Sequence, residues 1–107
     1  MIKKKLLIID DEPGIAQMMK DTLELKGYDV GVALSGEEGL DKIKETKPDV
    51  ITLDIMLPGL NGLQILRILK KNPETYHIPI IVVTVHEELA EEGMALGANY
   101  SFVKPIH

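Results

Sequence analysis

Apolar residues fall in short runs, and nearly every run ends on a polar or charged group. Leu6 to Ile9 is continuous and apolar, as in a strand covered on both faces, and it stops at Asp10-Asp11-Glu12. Pro13 suits the first turn of a helix, and Ile15, Met18, Met19 and Leu23 then share one helical face. Lys26-Gly27 predicts its end, a basic last turn with a C-cap glycine. Tyr28 to Ala33 predicts a second strand, weakened by Gly31. Ser35 and Glu38 fit a capping box for a second helix, with Leu40 and Ile43 on its buried side and Lys47-Pro48 as its stop.

Val50 to Leu53 is too short and too β-branched for a helix. It reads as a buried strand ending on Asp54. Pro58-Gly59 turns the chain, and Gly62 precedes a third helical pattern from about Leu63 to Lys71, carrying Leu63, Leu66 and Leu69. Asn72-Pro73 breaks that helix. Ile80 to Val83 predicts a fourth strand ending on Thr84, Glu87 to Leu96 a short fourth helix stopped by Gly97, and Tyr100 to Val103 a fifth strand ending on Lys104-Pro105.

Strict alternation of strand and helix predicts an α/β fold, a doubly wound parallel five-stranded sheet with right-handed crossovers. Ligands in such sheets bind beyond the carboxyl ends of the strands. Four of the five predicted strands deliver a chemically useful group to that edge: Asp10-Asp11, Asp54, Thr84 and Lys104. Each has an ordinary explanation by itself. The acids can decorate a helix dipole or terminate a strand, Thr84 can be a β-former, and Lys104 a solvated loop residue. Their meeting on one rim is what needs explaining.

Composition narrows the field. The chain has 107 residues, enough for one domain, and its 45% apolar content can fill one core. A net charge of −5 argues against direct nucleic-acid binding. The chain has 0 cysteines, which removes disulfides and thiolate metal sites. Ile78 to Val85 is too short to span a bilayer and contains Pro79. Lys3-Lys4-Lys5 before Leu6 to Ile9 imitates a signal peptide, but the apolar part is too short and acids follow at once. A cytoplasmic protein is the expectation.

Three converging carboxylates repel one another unless a hard cation lies among them. Oxygen ligands with room for water favour Mg²⁺ or Mn²⁺ over zinc. One carboxylate left free can act as a nucleophile toward phosphorus. A lysine and a threonine hydroxyl can then flank the phosphoryl oxygens. The residues alone thus point to a cation-dependent phosphoryl site on an aspartate.

The set Ile8-Ile9-Asp10-Asp11-Glu12, Leu53 to Gly59 with Asn61-Gly62, Val83-Thr84 and Lys104-Pro105 resembles the receiver domain of two-component response regulators. The likeness covers essentially the whole chain, 1–107, read as one receiver domain. It implies the flavodoxin-like strand order 2-1-3-4-5. It implies Asp54 as phosphoacceptor and metal ligand, Asp11 as a direct metal ligand, Asp10 acting largely through water, and the Met56 carbonyl as a further ligand. Lys104 would contact the phosphoryl group, Thr84 would report its arrival, and the Lys104-Pro105 bond would be cis. The implied partners are a histidine kinase or histidine phosphotransfer protein and an output domain or partner protein. The domain itself would neither bind nucleic acid nor enter a membrane. It would not be an enzyme beyond its own phosphorylation and slow dephosphorylation.

Several positions depart from the family pattern. Val85 stands where a small residue is usual, which narrows access to the site. Thr84 and Lys104 are slightly closer in sequence than is usual, which shortens the fourth helix or its loops. The family's switch aromatic would fall at Ser101, whereas Tyr100 and Phe102 point to the opposite face by strand alternation. His77 and His86 have no matched partners and read as surface residues. A fifth helix would normally follow Lys104-Pro105, and it is missing from this chain. The expectation is that the 107 residues belong to a longer chain, or that a second copy covers that face as a homodimer. Two other classes stay open, an Asp-nucleophile phosphohydrolase and a non-phosphorylated receiver-like binding module. Against the first, Met56 stands where such phosphatases carry a second acid. Against the second stands the complete acid-Thr-Lys set.

Overall fold

The structure, a computed structural model, describes residues 2–104. Five strands and four helices alternate: β1 (Lys5–Ile9), α1 (Pro13–Leu25), β2 (Asp29–Ala33), α2 (Gly36–Thr46), β3 (Val50–Asp54), α3 (Gly62–Lys71), β4 (Ile80–Thr84), α4 (Glu87–Ala95) and β5 (Tyr100–Val103). All neighbouring strands pair in parallel, in the order β2-β1-β3-β4-β5. Each predicted element is present, with ends moved by a residue or so. The Lys104-Pro105 bond and the segment after it lie outside the described residues.

Alternation along β1 divides the core. Leu7 and Ile9 join Ile51, Leu53, Ile80 and Val82 beneath α2 and α3, with Ile43, Ile65, Leu66 and Leu69 packed on them. Leu6 and Ile8 face the other way, with Val30 and Ala16 of α1. Two glycines let helices approach closely: a Cβ on Gly39 would meet the Ile9 side chain at 2.7 Å, and one on Gly93 would meet Val82 at 2.9 Å.

α1 buries less than its periodicity predicts. Its inward face centres on Ala16, with Met19 and Leu23 half-buried, while Met18 is 64% exposed. Ile15 and Met18 sit to one side of the Ala16-Met19-Leu23 line, so the stripe turns past the sheet. Lys26 lies just beyond the last turn as the C-cap, and Gly27 adopts φ 96°. The capping box of α2 is also shifted. Glu38 N–H donates to Ser35 Oγ at 3.1 Å, but the Glu38 carboxylate accepts from Leu34 N–H, one residue before the cap.

Burial falls away across the sheet. β1 and β3 are covered on both faces, β4 alternates between buried and half-buried, and β5 is exposed throughout. In register, Ile81 lies beside Tyr100 and Val83 beside Phe102. Tyr100 is 66% and Phe102 57% exposed, so this apolar strip is open.

Candidate functional site

The strand order reverses between β1 and β3, where Ile9, the last residue of β1, pairs with Leu53, the residue before Asp54. Asp10 follows β1 and Asp54 ends β3, so the switch point sets these two acids side by side at the carboxyl edge. Both are buried, and Asp11 is half-buried. One carboxylate oxygen from each of Asp10, Asp11 and Asp54 lies within 4.8 Å of the others. These hard oxygen donors suit Mg²⁺ or Mn²⁺, and Asp11 remains open to water.

Backbone amides hold the two buried carboxylates in place. Asp10 Oδ1 accepts from Glu12 N–H at 3.0 Å, and Asp54 Oδ1 accepts from Met56 N–H at 3.0 Å. Lys104 reaches in from the end of β5. Its Nζ lies 3.3 Å from Asp10 Oδ2 and 3.4 Å from Asp54 Oδ2. Its backbone N–H donates to the Thr84 carbonyl at 2.7 Å, tying the ends of β4 and β5 together. Thr84 is buried, and its hydroxyl oxygen accepts from His86 N–H at the start of α4. The threonine thus stands beside the lysine but faces α4. Val85 is half-buried next to it, and both His77 and His86 are exposed.

Electrostatics follow from burial. Desolvation pushes the Asp54 carboxyl above its ordinary 3.8, and Asp10 adds to the rise, against the Met56 amide and Lys104. Burial pulls Lys104 down, but Asp54 and Asp10 together outweigh it and hold the ammonium above its ordinary 10.5. One lysine therefore faces two buried acids, and a divalent cation would offset the remaining negative charge.

The β3–α3 loop closes on itself beneath this site. Gly62 N–H donates to the Ile55 carbonyl at 3.0 Å, and a side chain on Gly62 would collide with the Asp54 carbonyl. Asn61 and Gln64 form a full capping box, with bonds of 2.9 and 3.0 Å. Its spacing, Asn at the cap and Gln three residues on, is readable in sequence. A second support is not: the Leu60 N–H donates to Glu37 Oε1 of α2 at 3.2 Å. Among the described residues no helix is long and apolar enough to cross a membrane.

This fold and rim define a signalling domain of the receiver type. The family model for the response regulator receiver domain matches residues 6–107, and the chain belongs to that family, the receivers of two-component systems. It is 37% identical to the phosphate regulon transcriptional regulatory protein PhoB of Rhizobium meliloti (strain 1021), covering 95% of this chain and 46% of that protein. It is 39% identical to the alkaline phosphatase synthesis transcriptional regulatory protein PhoP of Bacillus subtilis (strain 168), covering 98% of this chain and 44% of that protein. The chain thus spans less than half the length of these curated relatives. The chemotaxis response regulator CheY4 of Vibrio cholerae superimposes with a TM-score of 0.90 at 32% identity, covering 99% of this chain and 90% of that one.

Proposed function

We propose that Asp54 is the phosphoacceptor of this receiver, loaded by a histidine kinase or histidine phosphotransfer protein. The observation that carries this reading is the meeting of Asp10, Asp11 and Asp54 with Lys104 at the sheet's switch point. An Asp54 carboxylate oxygen attacks phosphorus, the P–N bond of the donor phosphohistidine breaks with its electron pair going to the imidazole nitrogen, and that nitrogen takes up a proton from solvent. Asp11, Asp54 and the Met56 carbonyl would hold Mg²⁺ or Mn²⁺, with Asp10 acting through water. That cation, when bound, supplies neutralisation of the phosphoryl oxygens. Lys104 binds a phosphoryl oxygen from the other side, exchanging one carboxylate partner for the new anion. Thr84 ends the neighbouring strand β4, and for its side chain to turn toward the phosphoryl group its hydroxyl would leave the His86 amide. That exchange would couple the acyl phosphate to the start of α4 and shift a conformational equilibrium. The relevant output is a further domain or a partner protein, and the setting is the cytoplasm.

Incubation with acetyl phosphate and Mg²⁺, followed by intact-mass measurement, tests the assignment. One phosphoryl adduct is expected, absent from Asp54→Ala. An adduct that persists in the variant overturns it. Sustained turnover of a generic phosphate ester would instead favour a phosphohydrolase.

A further inference from the structure

The loop between β3 and α3 carries Met56, and its geometry determines where that residue's carbonyl lies. At its base the loop is closed by Gly62 N–H on the Ile55 carbonyl, and at its far end by the Asn61–Gln64 capping box. Both supports are local. The tip is Pro58-Gly59-Leu60. Pro58 and Gly59 are exposed, and Gly59 adopts φ 69°. Its side-chain tether to another element is the bond from Leu60 N–H to Glu37 Oε1, 3.2 Å across 23 positions of sequence. The contact is set by close backbone packing. A Cβ on Gly36 would run into the Leu60 carbonyl, and one on Gly59 would lie 3.7 Å from Glu37 Oε1. Leu60 also packs partly into the core, so the tip is anchored at one residue from both sides.

We propose that Glu37 is a positioning residue for the cation site: by holding the Leu60 amide it fixes the β3–α3 loop, and so the Met56 carbonyl, in the arrangement that binds Mg²⁺. This rests on the phosphoacceptor reading above, in which Met56 supplies a ligand. Glu37 touches neither the cation nor the phosphoryl group. Its carboxylate does the work of an acceptor and not of a charge, so a neutral acceptor of the same length should serve.

The test compares Glu37→Ala with Glu37→Gln. Glu37 is exposed, so neither change disturbs the core. Mg²⁺ affinity is measured by calorimetry at constant ionic strength, and the Met56 and Leu60 amides are followed by NMR. Glu37→Ala should weaken Mg²⁺ binding roughly 3- to 10-fold, the scale of one lost hydrogen bond, and shift the cation-free Met56 amide resonance. Glu37→Gln should restore both to near the wild-type values. Phosphorylation by acetyl phosphate should slow in Glu37→Ala at low Mg²⁺ and recover at saturating Mg²⁺. If Glu37→Gln binds as weakly as Glu37→Ala, the effect is general charge and the positioning role is overturned. Wild-type affinity in Glu37→Ala overturns it equally. A wild-type protein that takes up no Mg²⁺ at all would instead overturn the underlying reading of the site.

Discussion

Lys104 Nζ lies 3.4 Å from Asp54 Oδ2, joining residues 50 positions apart. The same ammonium lies 3.3 Å from Asp10 Oδ2. The lysine therefore bridges the two buried acids across the strand-order switch. Its ion pairs do not make the cation-free site comfortable. Burial still dominates at Asp54 and keeps its carboxyl above the ordinary range.

A stability difference with a definite sign follows. The folded protein binds the Asp54 proton more tightly than the unfolded chain does. Without divalent cation, the group's contribution to stability is therefore greatest below pH 3.8 and falls as pH rises through the raised value. Asp54→Asn keeps the shape and removes the ionisation, and Lys104 retains Asp10. The variant should gain on wild type across that window and hold its advantage at neutral pH. The gain should be on the order of 1 kcal/mol, or roughly 4–8 °C in Tm. Urea melts from about pH 4 to 7 in chelator measure it. A pH-independent difference would contradict the raised carboxyl.

Mg²⁺ should reverse that penalty. A ligand at about 100 times its Kd stabilises the folded state by about 2.7 kcal/mol. Wild-type Tm should rise accordingly with added Mg²⁺. Asp11→Ala should lose most of the rise and phosphorylate poorly, since the half-buried Asp11 adds the third carboxylate oxygen of the cluster. Undiminished phosphorylation in excess chelator would refute a cation requirement.

Switching should not depend on position 101. In register, Ser101 is beside Val82, whereas Tyr100 and Phe102 are beside Ile81 and Val83 on the opposite face. Ser101 is small and exposed, so it cannot fill space vacated by the Thr84 side chain. Beryllofluoride, a phosphoryl mimic, should shift amide resonances around Thr84, His86 and α4 equally in wild type and Ser101→Ala. Loss of the whole response in the variant would make Ser101 itself the switch.

The elements were readable because short apolar runs alternate with strong breakers such as Gly27, Pro48, Asn72-Pro73 and Gly97. The rim was readable because strand ends in a parallel sheet share one edge, so Asp10, Asp54, Thr84 and Lys104 had to meet there. What stayed hidden depends on tertiary approach. No local pattern links Glu37 to Leu60. The hydroxyl of Thr84 has two directions open to it, and only packing with α4 selects His86. Met18 fits the helical period as well as Met19 does, and the position of α1 over β1 and β2 decides between them. Likewise β5 reads as an ordinary apolar strand, and its exposure reflects what covers the sheet.

That exposure leads to the last prediction. Ile81, Val83, Tyr100 and Phe102 form an apolar strip on one face of the sheet's far edge, and β5 is exposed along its whole length. A strip of this kind is a surface for association. The relatives PhoB and PhoP are more than twice as long as the region they share with this chain. If the chain is part of a longer protein, sequence beyond residue 107 is expected to pack on this strip. Burying as little as ~100 Å² of it would contribute about 2.5 kcal/mol, or roughly 10 °C or more in Tm. A longer protein that includes native downstream residues should therefore melt higher than the 107-residue chain. The double substitution Tyr100→Ser with Phe102→Ser should erase most of that gain while changing the short chain little. Sedimentation of the short chain tests the competing occupant, a second copy, which would appear as a dimer that the same double substitution dissolves. A monomeric short chain with a Tm unchanged by the extension would contradict the proposal, because the strip would then need no cover.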